Sequence, residues 1–163
     1  MKITRKRFAA AAINTFLLIF IFLLRSCNLL FSIGDAVPML LLPLCISISM
    51  FFGENATLLC FLFAGLLTDS VSAHSSFFNT LFFVIIGVLC GRLASRVLNR
   101  NLKSALCLCT AVAFLYFFSM YLIFFAFGGI HVNYDYFVTY LIPSAIYTAL
   151  WIIPFYFLQK KLS

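Results

Sequence analysis

Long apolar runs separated by short polar clusters dominate the chain. A membrane-crossing helix needs about 20 apolar residues, with about 17 as a lower bound. On that measure the pattern predicts six spans, over residues 8–24, 36–52, 56–69, 77–93, 104–127 and 137–158. The third is short and ends in an acid, Asp69. Only Gly53, Glu54 and Asn55 separate the second and third spans, which forces an antiparallel hairpin with a turn leading into a helix cap. Asp35 is placed to cap the second span and Pro38 to sit near its first turn, where a missing N–H costs nothing. Pro43 lies deeper and predicts a kink; Pro143 and Pro154 predict bends in the sixth span.

Composition turns this pattern into a fold class. The 163 residues are 65% hydrophobic and 9% charged, more apolar surface than a soluble domain of this size could hide. The expected fold is all-α and integral to the membrane, about six transmembrane helices in one compact bundle, with residues 1–163 forming a single polytopic domain. The 22 Phe are expected to face lipid or fill gaps between helices.

Charge sets orientation. A net charge of +7 invites a nucleic-acid reading, but the basic residues stand at the ends of apolar runs, where topology signals belong. With the N-terminus inside, Lys2, Arg5, Lys6, Arg7, Arg92, Arg96, Arg100, Lys103, Lys160 and Lys161 face the cytoplasm and Arg25 alone lies outside. Both termini are then cytoplasmic, Tyr134, Tyr136 and Tyr140 mark the outer interface, and Tyr156 marks the inner one. The basic start resembles a signal peptide. The first apolar run is long enough to span, however, and its small residues, Ala9 to Ala12, precede rather than follow the apolar core, so a retained span is expected.

Candidate chemistry is sparse. The six cysteines form no metal-ligand spacing, and neither zinc nor a disulfide framework is expected. His74 and His131 stand alone. No nucleophile–base arrangement, catalytic carboxylate pair, phosphate-cradling loop or cofactor motif is present, so neither enzyme activity nor a cofactor is expected. The third span carries small residues at Ala56, Cys60, Ala64 and Thr68, with Gly65 and Asp69 on the neighbouring stripe, and this predicts close packing and a central place in the bundle. Asp69 has three readings: hydrated and ending its helix, hydrogen-bonded to loop amides within residues 70–76, or carrying protons or cations. The other acids, Asp35, Glu54 and Asp135, all fall in predicted loops, which argues against a proton path. Gly87 and Gly91 form a G-x-x-x-G pair suited to helix contact, within the chain or with another membrane protein. Arg92, Arg96 and Arg100, at four-residue spacing and followed by Lys103, predict a basic inner-surface face suited to anionic lipid.

Several of these residues also carry a resemblance. Pro38 opening an apolar span, the Gly53-Glu54 turn, Gly65-Leu66-Leu67-Thr68-Asp69, the polar stretch with Asn79, and Gly87 leading to Gly91-Arg92 resemble the rod-shape-determining membrane proteins of the MreD family. Members often carry an acid directly after the proline, where Met39 stands, and a glycine two residues before the asparagine, where Phe77 stands. The resemblance implies a fold like the substrate-binding S-components of energy-coupling-factor (ECF) transporters. It also implies a non-enzymatic scaffold binding MreC and linking MreB filaments to RodA and a class B penicillin-binding transpeptidase. The motif residues it marks are Gly65, Asp69, Asn79 and Gly91. An alternative compatible with six spans is a vitamin-capturing subunit of an ECF-type transporter.

Overall fold

The structure, a computed structural model, describes residues 2–27, 38–71, 77–96, 101–127 and 141–162. Asp35, His74, Arg100, His131, Tyr134, Asp135, Tyr136 and Tyr140 lie outside the described residues, as does the side chain of Arg96. The described residues form seven helices and no strand: α1 Lys2–Ser26, α2 Leu41–Phe51, α3 Glu54–Val71, α4 Phe78–Arg96, α5 Leu102–Phe127, α6 Ile142–Leu150 and α7 Ile152–Leu162. Helices α6 and α7 are one apolar stretch broken at Trp151. Four stretches, Glu54–Val71, Phe78–Ser95, Leu102–Ile123 and Ile142–Leu162, are long and apolar enough to cross a membrane, and Ala10–Ser26 and Leu41–Phe51 are shorter apolar helices. The fold is an all-helical membrane bundle.

The centre of that bundle is α2, not the third span as its small-residue stripe predicts. Every residue from Pro38 to Met50 is buried, and α2 packs against each of the other six helices. Burial on all sides suits a helix whose only polar side chains are satisfied locally: Ser47 and Ser49 donate to the carbonyls of Leu44 and Ile46, each at 2.7 Å. Pro43 produces no mid-helix kink. It is the third residue of α2, where no intrahelical bond is lost, so it fixes where the helix starts. Ahead of it, the Met39 N–H donates to the Thr148 hydroxyl of α6 at 3.0 Å, a cap supplied from another helix. Pro154 does mark a break: α6 ends at Leu150, the residue whose carbonyl its ring would crowd, and Pro143 stands in the first turn of α6.

The remaining helices sit in two groups around α2. Helix α3 packs on α4 most extensively, with α1 alongside α3, while α5 packs on α6 and α7. The groups meet where Phe82 and Phe83 of α4 lie edge-on to Tyr116 of α5, at ring-centre separations of 5.3 and 6.1 Å. The first helix is tied to the last by a buried amide pair, Gln159 Nε2 donating to Asn14 Oδ1 at 2.7 Å. Many outward-facing positions along the helices are large and apolar, including Phe16 and Phe20 on α1, Leu59 and Leu66 on α3, and Leu81, Ile85 and Leu89 on α4. That is the surface a lipid solvent requires.

One backbone position is strained. Phe77, immediately before α4, has φ 61°, a left-handed conformation that costs a non-glycine residue about 1–2 kcal/mol. Its side chain is 73% exposed, so packing does not explain the choice of residue. It is also the position at which the MreD-like pattern carries glycine. Phe77→Gly is therefore expected to raise the thermal midpoint by a few degrees in detergent. A lowered midpoint would show that the phenyl ring contributes more than its backbone strain costs.

Candidate functional site

The polar centre of the molecule lies where α3 hands over to α4. Helix α3 opens on Glu54 and Asn55, passes through an apolar middle to Thr68, Asp69 and Ser70, and runs on to Val71, so Asp69 does not end it. The amides of residues 72–76, which the sequence also offers to Asp69, lie outside the described residues. Asp69 reaches across to the start of the next helix. Its Oδ1 accepts from the Asn79 backbone N–H at 3.1 Å and from Asn79 Nδ2 at 2.8 Å. Its Oδ2 accepts from the Thr80 backbone N–H at 2.8 Å and the Thr80 hydroxyl at 2.6 Å.

The arrangement follows from a missing cap. The first turn of any helix leaves N–H groups unpaired, and a Ser, Thr, Asp or Asn side chain just before the helix normally accepts them. Phe77 occupies that place and has nothing to offer. Asp69 does the same work across the hairpin, and its negative charge sits at the end of α4 that the helix dipole makes positive. Four donors on two oxygens satisfy the carboxylate, which explains how an acid is tolerated in an apolar helix. Asn79 passes the network on: its Oδ1 accepts from the Tyr116 hydroxyl at 2.9 Å, joining α3, α4 and α5. Asn79 and Tyr116 are both buried.

Close approach makes the network possible. A Cβ on Gly65 would lie 2.7 Å from Thr80 Cα and 3.1 Å from Phe83 Cβ, so the two backbones touch at Gly65, one turn before Asp69. Gly87 is covered by Phe61, whose Cβ would stand 2.8 Å from an added methyl. Gly91 is looser, with Glu54 Cα at 3.5 Å and Thr57 Cγ2 at 3.7 Å. All three glycines are thus buried in the α3–α4 contact, Gly65 against α4 and Gly87 and Gly91 against α3. At that end of the pair the Ser95 hydroxyl donates to Glu54 Oε1 at 2.7 Å. Arg92 and Lys103 are exposed.

Gly65, Asp69 and Asn79 come together; Gly87, Gly91 and Arg92 lie progressively further down α4. Sequence reasoning missed Thr80, Tyr116, Asn14 and Gln159. The available signal was a polar group inside a predicted span, a tyrosine far from either end of the fifth and an asparagine within the first; Gln159 lies just past the predicted end of the sixth and carried no such signal. The cluster's donors and acceptors are matched to each other, the Thr80 hydroxyl being one of four donors shared by the Asp69 carboxylate. Among the described residues no three His, Cys, Asp or Glu side chains gather as a metal site.

The chain matches one family profile, described as rod shape-determining protein MreD, over residues 4–163. No curated protein and no solved structure matches. The match covers essentially the whole length, so the chain belongs to the MreD family of rod shape-determining membrane proteins.

Proposed function

We propose that the chain is a non-enzymatic scaffold of the bacterial cell-elongation machinery. It binds MreC directly and, through that complex, links MreB filaments to RodA and a class B penicillin-binding transpeptidase. In this reading the apolar stretches cross the plasma membrane six times with both termini cytoplasmic, as the ten-to-one distribution of basic residues favours. Arg92, Arg96, Arg100 and Lys103 then lie at the inner surface against anionic headgroups. Gly65, Asp69, Asn79, Gly87 and Gly91 act as the packing hub that gives the scaffold its shape.

The observation that carries this reading is the fate of the polar side chains. The Asp69 carboxylate takes four donors from Asn79 and Thr80, and Asn79 takes the Tyr116 hydroxyl, so the most polar cluster of the interior joins helices together. A scaffold needs a fixed shape, and satisfied buried polar networks supply it. The test is co-isolation. Expressed with MreC and extracted in mild detergent, the chain is expected to carry MreC with it. Recovery without MreC, with a vitamin bound instead, would replace this reading with the capture-subunit one.

A further inference from the structure

The outward side of the α3–α4 pair is short for a membrane. Asn55, Leu59, Phe63, Leu66 and Ser70 form one exposed stripe along α3, and Leu81, Ile85, Leu89 and Arg92 form another along α4. Gly91 lies against Glu54 and Thr80 is bonded to Asp69, so the two helices run side by side in register. From Asn55 to Ser70 is fifteen residues, or about 22 Å, and from the start of α4 at Phe78 to Arg92 is fourteen, or about 21 Å. A bilayer's hydrocarbon core is roughly 30 Å thick. The Arg92 stem can carry its charge outward, but the side chains of Asn55 and Ser70 are too short to do so. Any tilt of the pair shortens the stripes further along the membrane normal. Other helices fit better: α1 is uncharged between Arg7 and Arg25, about 27 Å, and α5 is uncharged from Ser104 to Phe127, about 35 Å.

The side chains between the polar ends say what meets this face. Helices that pack together in lipid do so through small residues. Gly65, Gly87 and Gly91 are all spent on the contact between α3 and α4, and the exposed positions at mid-depth are Leu59, Phe63, Leu66, Leu81, Ile85 and Leu89. Large apolar side chains of this kind suit acyl chains rather than another helix. A stretch shorter than the hydrocarbon core is accommodated by thinning the bilayer beside it. We propose that the α3–α4 face compresses the lipid against it by several ångströms and so selects short-chain phospholipids there, while α5 sits in lipid of ordinary thickness. The inference does not depend on the partners proposed above.

The test reads lipid contact one helix at a time in the full chain. Its single tryptophan is removed by Trp151→Phe, and a new one is placed on the short face by Phe63→Trp or on α5 by Phe114→Trp, both exposed positions. Each protein is reconstituted in vesicles of phosphatidylcholine with eighteen-carbon chains. Brominated phosphatidylcholines of fourteen, eighteen or twenty-two carbons then compete for contact, and fluorescence quenching gives their relative affinities. At position 63 the fourteen-carbon lipid is expected to be favoured about threefold over the eighteen-carbon one. At position 114 no preference for the short lipid is expected. The same chain-length dependence at both positions overturns the proposal, as does a preference for eighteen or twenty-two carbons at position 63. Absence of quenching by every brominated lipid at position 63 would put protein, such as a second copy of the chain, on this face and also overturns it. If Phe63→Trp cannot be recovered folded, Ile85→Trp reads the same face.

Discussion

Gly65→Ala is expected to lower the thermal midpoint by roughly 6–12 °C, the equivalent of about 3 kcal/mol for a chain of this size. A single methyl suffices because the atom it meets is backbone. The added Cβ would lie 2.7 Å from Thr80 Cα, and Thr80 is held in place by two bonds to Asp69. Neither helix can yield without lengthening those bonds, so steric and polar losses come together. Gly65→Leu should give no monodisperse protein. Gly91→Ala is the internal control: its methyl finds ordinary contact distances of 3.5 and 3.7 Å, and alanine favours a helix over glycine by about 1 kcal/mol. That variant should be neutral or slightly stabilised, and Gly87→Ala should fall between because Phe61 is a side chain that can shift in part. A Gly65→Ala midpoint equal to wild type would mean the α3–α4 contact is looser than the structure has it.

Asp69→Asn is the second large effect, expected at about 3 kcal/mol. The shape is unchanged, so the loss is chemical. An amide has one accepting oxygen where the carboxylate has two. Whichever way it is turned, its NH2 group faces a backbone N–H of Asn79 or Thr80 that cannot become an acceptor. The Thr80 hydroxyl can rotate to accept, which limits the damage on that side. The first turn of α4 then has unpaired donors, and Phe77 offers no side-chain cap for them. Unfolding in detergent measures the stability. Complementation of cells lacking the native protein measures the consequence, with rounding expected in place of rods at elevated temperature. Wild-type stability and shape in Asp69→Asn would show that charge at this position is dispensable.

The distribution of what was legible has physical causes. Membrane character, the number of apolar stretches and the short hairpin link follow from local composition and length, which a single chain displays openly. The α3–α4 contact was also within reach, because small residues at Gly65, Gly87 and Gly91 mark close backbone approach whatever the partner. Asp69 was recognisable as unusual, but its role was not. A cap is ordinarily sought within a few residues of its helix, and this one comes from across a hairpin, ten residues upstream. Tyr116 was less visible still, since its hydroxyl matters only once α5 is laid against α4.

By itself the sequence determined an all-helical membrane bundle, a helical hairpin at Gly53, and pattern enough to point to the MreD family. These depend on hydropathy and on the turn, both local properties, whereas Pro43, expected to kink its span, turned out to stand in the first turn of α2. Which helix lies at the centre was decided only by the tertiary structure. Small residues favour α3, yet α2 is enclosed on all sides, because enclosure depends on how six other helices share the space around it. The joining of Asp69, Asn79, Thr80 and Tyr116, and of Asn14 with Gln159, was decided there too. Each of those bonds unites residues that sequence distance separates and that only packing brings within hydrogen-bonding range.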